Sequence, residues 1–324
     1  MKKIISVVLV ALLLVTTCLS FAACGNSKPT IAIIQFGSHA SLNNCYDGIL
    51  NGLEENGIVL ENYNVEHVIS NFDPQLSQTQ ASSFVNARAD VIIAIATPSA
   101  VAAATAADGD IPVVYCAVTD STVMENYDNI TGSSDIPDAA AQLKLVQSFL
   151  GDNVKIGVLY STEESSSPIQ VANLEKAVQD FNGLTGSSEG VEIISSAVSD
   201  INTIDAKVNE LIERGVDCFV NLLDNTIVGK LETNILPITN DKGIPVFGSE
   251  IEQVKLGCVA SSSIEYLDVG YAAGKAAAEI LGGKSASDIP VATITEPKSY
   301  YNSKACAALG VTVPENTEAT DVAE

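Results

Sequence analysis

Asp90-Val91-Ile92-Ile93-Ala94-Ile95-Ala96-Thr97-Pro98-Ser99-Ala100 runs from an acidic residue through an unbroken apolar stretch into threonine and proline. An apolar run without polar alternation suits a parallel strand whose two faces are both covered by helices. Proline lacks the N–H that a first helical turn leaves unbonded, so Thr97-Pro98 reads as a helix cap and first turn. Strand followed directly by helix is half of a β-α-β unit. Working outward, Ile31 to Phe36 is another continuous apolar run, Asp73-Pro74 another helix start, and Ile111-Pro112-Val113-Val114-Tyr115 a further strand.

The second half answers the first in order. Lys155-Ile156-Gly157-Val158-Leu159-Tyr160 corresponds to Thr30-Ile31-Ala32-Ile33-Ile34-Gln35, and Arg214-Gly215-Val216-Asp217 to Arg88-Ala89-Asp90. Ile244-Pro245-Val246 corresponds to Ile111-Pro112-Val113. This recurrence predicts an α/β fold of two similar lobes, each a doubly wound parallel sheet, with a cleft between them.

Ligands of open α/β sheets bind beyond the carboxyl ends of the strands, where loops and helix N-termini converge. The candidates are Ser38, His39, Thr97, Ser99, Ala100 and Asp120 in the first half. The second half offers Tyr160, Glu164, Ser166, Asp224, Asn225, Thr226, Ser249 and Glu250. The positive end of the helix after Thr97, with the amides of Ser99 and Ala100, could hold a carboxylate. Arg88 and Arg214 precede their strands, at the end of the sheet away from the cleft, which disfavours a densely anionic ligand. Asp120, Asp224 or Glu250 could face an ammonium group. Together they suggest a zwitterion, an amino acid. Helix capping and loop roles are the alternative for each of these residues. Tyr160, Phe36 and Phe247 read first as core, with stacking on a ligand ring as the alternative.

The 324-residue chain carries 16 basic and 40 acidic residues and is 47% apolar, enough for two cores. Lys2 and Lys3 precede an apolar run from Ile4 to Val15, too short to span a bilayer and suited to an export signal over residues 1–23. Phe21-Ala22-Ala23-Cys24 resembles the lipobox of bacterial lipoproteins, in which the cysteine is lipidated after cleavage. Removing residues 1–23 leaves 14 basic against 40 acidic residues, a net charge of −26, which argues against nucleic acid or an anionic membrane surface as partner. The membrane would be reached through the lipid on Cys24. Cys45, Cys116, Cys218, Cys258 and Cys306 are irregularly spaced and read as buried free thiols. No cysteine pair has metal-ligand spacing, and with His39 and His67 the only histidines neither a metal site nor a cofactor is expected.

The blocks Asp90 to Ala100, Ile111 to Val114 with Ala117-Val118-Thr119-Asp120, and Gly157-Val158-Leu159-Tyr160 with Glu164 and Ser166 resemble the tryptophan/tyrosine type of ABC transporter substrate-binding proteins. Asp224-Asn225-Thr226, Ile244-Pro245-Val246-Phe247 and Asp268-Val269-Gly270 match as well. Ser121 departs from the proline usual there. The resemblance spans about Ile31 to Pro314. It implies the type I periplasmic-binding-protein fold of the leucine-binding class, with lobe 1 at 30–134 and 256–294 and lobe 2 at 135–255 and 295–314. Residues 24–29 would be a tether and 315–324 an acidic, poorly ordered tail.

It further implies a monomeric, non-enzymatic receptor on the outer face of the bacterial cell membrane, which hands an amino acid, aromatic by family, to an ABC permease. The absence of Gly-x-x-x-x-Gly-Lys-Ser/Thr means that a separate chain supplies the ATPase. Two other classes are a ligand sensor docking on a signalling receptor, which sequence does not separate from the first, and an extracellular hydrolase using His39. The second lacks a Gly-x-Ser-x-Gly elbow.

Overall fold

A computed structural model describes residues 28–185, 190–294, 297–315 and 317–323. The expected signal segment and Cys24 lie outside the described residues. Alternation of side chains along a strand sends successive residues to opposite faces of a sheet. In β1 (Thr30–Gln35), Ile31 and Ile33 enter one core while Ala32 and Ile34 enter another. Helix α1 (Ala40–Glu55) covers the first face, and β2 (Asn64–Ile69) pairs beside β1. The second face is covered by α2 (Pro74–Asn86), whose first turn Asp73 caps as expected through the amides of Gln75 and Leu76. Strand β3 (Val91–Ile95) repeats the division, with Val91, Ile93 and Ile95 against Ile92 and Ala94. Helix α3 (Thr97–Ala107), β4 (Val113–Cys116) and β5 (Ile130–Ser134) follow.

After Ser134 the chain crosses to a second lobe of α4 (Ala139–Leu150), β6 (Lys155–Ser161), α5 (Ser167–Thr185), β7 (Glu192–Val198), α6 (Ile204–Glu213) and β8 (Cys218–Val220). Short helices α7 (Asn225–Val228) and α8 (Leu236–Asp241), then β9 (Val246–Phe247), α9 (Ile251–Leu256) and β10 (Ala260–Ser263), complete this passage. The chain returns for α10 (Tyr266–Leu281) and β11 (Ala292–Thr293), then crosses a third time to β12 (Lys298–Tyr301), α11 (Ser303–Leu309) and β13 (Thr320–Asp321). The first sheet has the parallel order β11-β5-β4-β3-β1-β2, and the second β7-β6-β8-β9. A small sheet, β10-β12-β13, continues the second through a bridge from Gly248 to Ser261.

Paired aspartates express the likeness of the halves. Asp90 accepts from the amide of Thr30 at 2.7 Å, and Asp217 from the amide of Lys155 at 2.8 Å, each fixing the first residue of its lobe's leading strand. Two details depart from the sequence reading. Strand β10 pairs antiparallel with β12, and Val259 and Ala260 share a core with Leu143 and Cys306, so residues 256–263 sit with the second lobe. The acidic tail is structured over 317–323: β13 adds in parallel to β12, and Asp321 accepts from the amides of Ser303 and Ala323. All five cysteines among the described residues are buried free thiols.

Helix α10 returns to pack on α1 through Gly48, Gly52, Gly270 and Gly274. A Cβ on Gly270 would lie 2.1 Å from the carbonyl oxygen of Cys45, closer than any side chain tolerates. Glycine at these positions lets the two backbones touch.

Candidate functional site

Strand ends and helix starts of both lobes meet across the cleft. From the first lobe come His39 and Ser41 at the N-terminus of α1, Ala117 and Thr119 after β4, Asp135 after β5, and Tyr266 at the start of α10. The second lobe brings Leu223, Asn225, Glu250 and Gln253. The cavity these residues enclose is about 20 Å³. Direct bonds bridge the lobes: His39 Nε2 to Asn225 Oδ1 at 3.1 Å, Ser41 Oγ to Glu250 Oε2, and Asn44 Nδ2 to Glu252 Oε1 at 3.1 Å. Phe72 stacks parallel to His39 at 6.3 Å and lies against Gly229 of the opposite lobe. The lobes are closed on each other.

The polar groups here are buried and mostly oriented. Gln253 Oε1 accepts from Asn221 Nδ2 at 3.0 Å and from the Ser249 amide at 3.1 Å, which fixes its amide and leaves Nε2 without a partner. Asn225 gives its amide hydrogens to Glu164, so its oxygen accepts from His39 Nε2–H, and His39 Nδ1 is left as an unpartnered acceptor. Burial holds the His39 imidazole below its ordinary pKa, and therefore neutral. Asp135 takes the Tyr266 hydroxyl on Oδ2 at 2.7 Å, while Oδ1 has no partner. Burial raises the Asp135 carboxyl and pushes Glu250 up to about 7, the Ser41 hydrogen bond opposing the latter. Among the described residues lining this cavity there is no lysine or arginine.

Residues 30–322 match the family described as ABC transporter substrate binding protein. The chain belongs to that family. Among curated relatives, the tyrosine-binding protein of Clostridioides difficile strain R20291 is 32% identical over 290 residues, covering 87% of this chain and 81% of the relative. The crystal structure of an ABC domain from Streptococcus pneumoniae in complex with L-Trp superposes with a TM-score of 0.82 at 30% identity, over 89% of this chain and 97% of that one. A ligand-free, open structure of a substrate-binding protein with adhesive properties from Clostridium difficile gives 0.66 at 29% identity, over 91% of this chain and 99% of that one. At nearly equal identity the open structure superposes less well, which agrees with closed lobes in this substrate-binding protein. The type I periplasmic-binding-protein fold inferred from the sequence is the observed one. Members of the family work outside the cytoplasm.

Of the residues expected at the site, His39, Asn225 and Glu250 line the cleft cavity. Ser249 lines an adjoining cavity, with its hydroxyl donating to Asn221 O at 2.5 Å and accepting from Gln142 at 2.7 Å. Asp224 is fully buried and has three donors, Ile227 N, Ser161 N and Ser167 Oγ, at 2.6–3.0 Å, so it serves as a cap and strap within the second lobe. Glu164 accepts from the Thr226 amide at 2.9 Å and from Asn225, and burial together with the Asp224 charge holds its carboxyl well above the usual range. Thr226 and Ser166 flank this buried pair of acids.

Asp120 caps its own turn through the amide and hydroxyl of Thr122. Tyr160 packs at the edge of the second lobe's core, where Phe247 is wholly buried, as Phe36 is in the first. Ser38 is exposed. Thr97 is the first residue of α3 and not its cap. That place belongs to Ala96, held at φ 75° because its amide still bonds Cys116 O in the sheet. The Ala100 amide is consequently used inside the helix, on Ala96 O, and Ser99 Oγ meets Ser77 Oγ at 3.3 Å. Ser41, Phe72, Asp135, Gln253 and Tyr266, none of them among the residues expected from sequence, also reach the cleft. Asp135 was open to discovery by the same strand-end rule, since it follows β5 directly.

Proposed function

We propose that this substrate-binding protein captures an amino acid as its zwitterion between the lobes, with an aromatic side chain, and delivers it to an ABC permease without chemical change. One observation carries the reading. Among the described residues five buried side-chain polar atoms have no partner, and three belong to residues lining the cleft: Asp135 Oδ1, His39 Nδ1 and Gln253 Nε2. Two are acceptors suited to an ammonium group and one is a donor suited to a carboxylate. Buried polar groups are ordinarily satisfied, and a buried carboxylate needs a cation opposite it. With no lysine or arginine among the described residues lining the cavity, the ligand itself supplies that cation. The tyrosine-binding relative and the L-Trp complex favour an aromatic amino acid.

The test is calorimetry of the purified protein against tryptophan, tyrosine, phenylalanine and leucine, with the amide and the deaminated acid of the tightest binder. The intact zwitterion should bind best, and each modified form at least about 30-fold more weakly. Equal binding of all three forms would remove the zwitterion reading. Tethering through a lipid on Cys24 completes the proposal. Cys24→Ser should move the protein from the membrane to the soluble fraction, and an unlipidated wild-type chain in mass spectra would exclude the tether.

A further inference from the structure

A second cavity, of about 250 Å³, adjoins the cleft on its hinge side and meets it at Asp135, Leu223 and Tyr266. The first two crossovers border it, through Ile136 and Pro137 and through Ser263 and Ile264, and Ile294 and Pro297 also line it. By surface its walls are mainly apolar, as in pockets that bind small molecules, with the carboxylates of Asp135 and Asp138 and several hydroxyls among them. The cleft cavity proper, at about 20 Å³, has room for a water but not for a ring. An apolar cavity of about 150 Å³ already accommodates benzene, so the hinge cavity has space for a phenol or an indole. Ser263, 4% exposed, lines it and carries a hydroxyl without a partner. No lysine or arginine stands among its lining residues that are described.

We propose that this hinge cavity is the subsite for the ligand's side chain, selecting a ring that bears one hydrogen-bonding group at the Ser263 hydroxyl. The inference rests on reading the cleft as an amino-acid site. With the ammonium at Asp135, where the two cavities meet, the carboxylate lies toward Gln253 and the side chain toward the hinge. Selection then has two parts. Apolar walls reward ring size, and the Ser263 hydroxyl distinguishes tyrosine and tryptophan from phenylalanine. Because residues of the first two crossovers stand in the walls, a ring held there also bridges segments that join the lobes.

The test compares wild type, Ser263→Ala and Ile136→Trp by calorimetry with tryptophan, tyrosine, phenylalanine and alanine, using NMR titration where affinity is low. Ser263→Ala should weaken tyrosine and tryptophan about tenfold while changing phenylalanine less than threefold. Ile136 is 48% exposed at the rim, so tryptophan there is compatible with folding. It should weaken all three aromatic ligands at least about tenfold and alanine by no more than about threefold. Unchanged ratios among the four ligands in both variants would overturn the subsite. If ratios stay unchanged while Asp135→Asn removes binding of every amino acid, the hinge assignment falls and the cleft reading stands. Wild type binding none of the four would overturn both.

Discussion

Tyr266 donates its phenolic hydrogen to Asp135 Oδ2 at 2.7 Å, joining the first residue of α10 to the segment where the chain first leaves the sheet of β1 to β5. The bond orients a buried carboxylate and leaves Oδ1 for another donor. Asp135→Asn should therefore weaken binding of the amino acid by about 30-fold to several thousandfold, and of its deaminated analogue far less. Tyr266→Phe keeps the carboxylate and loses only its orientation, so a loss of about tenfold is expected. Calorimetry of both variants with both ligands checks the pair. Equal losses for the two ligands in Asp135→Asn would move the ammonium partner elsewhere.

Asp224 has all its contacts within the second lobe, so its removal should act on stability. Asp224→Ala strands the Ser161 and Ile227 amides and the Ser167 hydroxyl, and should cost about 2–4 kcal/mol. Urea unfolding measures this directly. Affinities for the amino acid and its deaminated analogue should change by the same factor, and a selective loss of the amino acid would return Asp224 to the ligand.

Glu250 sets a pH dependence whose sign is fixed. Burial is the main cause of its rise to about 7, the charges of Glu252 and Asp135 add to it, and the hydrogen bond from Ser41 opposes it. The folded protein holds this proton more tightly than an unfolded chain titrating at 4.5, so folding takes up a proton between those values. The contribution to stability is undiminished below about 4.5, falls as pH rises to about 7, and is level above that. The Tm of ligand-free wild type should fall over this interval, and Glu250→Gln should flatten the fall. Parallel Tm profiles for the two proteins would assign the slope to other buried acids.

Gly270 offers a test in which local and tertiary effects have opposite signs. In an isolated helix Gly→Ala gains up to about 1 kcal/mol. Here the new Cβ would meet the Cys45 carbonyl oxygen at 2.1 Å, and backbone cannot yield as a flexible side chain does. Gly270→Ala should destabilise by about 3 kcal/mol, read from the urea midpoint. A stabilised variant would show that α1 and α10 pack less tightly than described.

The fold was legible wherever burial is apolar. The runs of β1, β3 and β4 and the Asp73-Pro74 helix start stand as read. Strand β5 escaped because Thr131, Gly132, Ser133 and Ser134 look like a turn. Its hydroxyls make burial affordable by donating to Ile289 O, Val269 O and Val118 O. Missing that strand meant missing Asp135 at its end. Ser41 and Gln253 lie inside helices, and their approach to the cleft follows from how the lobes meet, which no local pattern encodes. Asp224 looked like a ligand contact because a cap and a contact share one sequence signature. Only its three internal donors separate the two roles.

The late return of α10 to α1 constrains how the chain comes to be folded. The first lobe is begun by residue 30, and α10, which joins α1 over its first face, is complete only at residue 281. A nascent chain thus presents the apolar face formed by Ile31, Ile33, Val91 and Ile93 with part of its cover missing. Such exposure of long-range contacts slows folding and invites association with other chains.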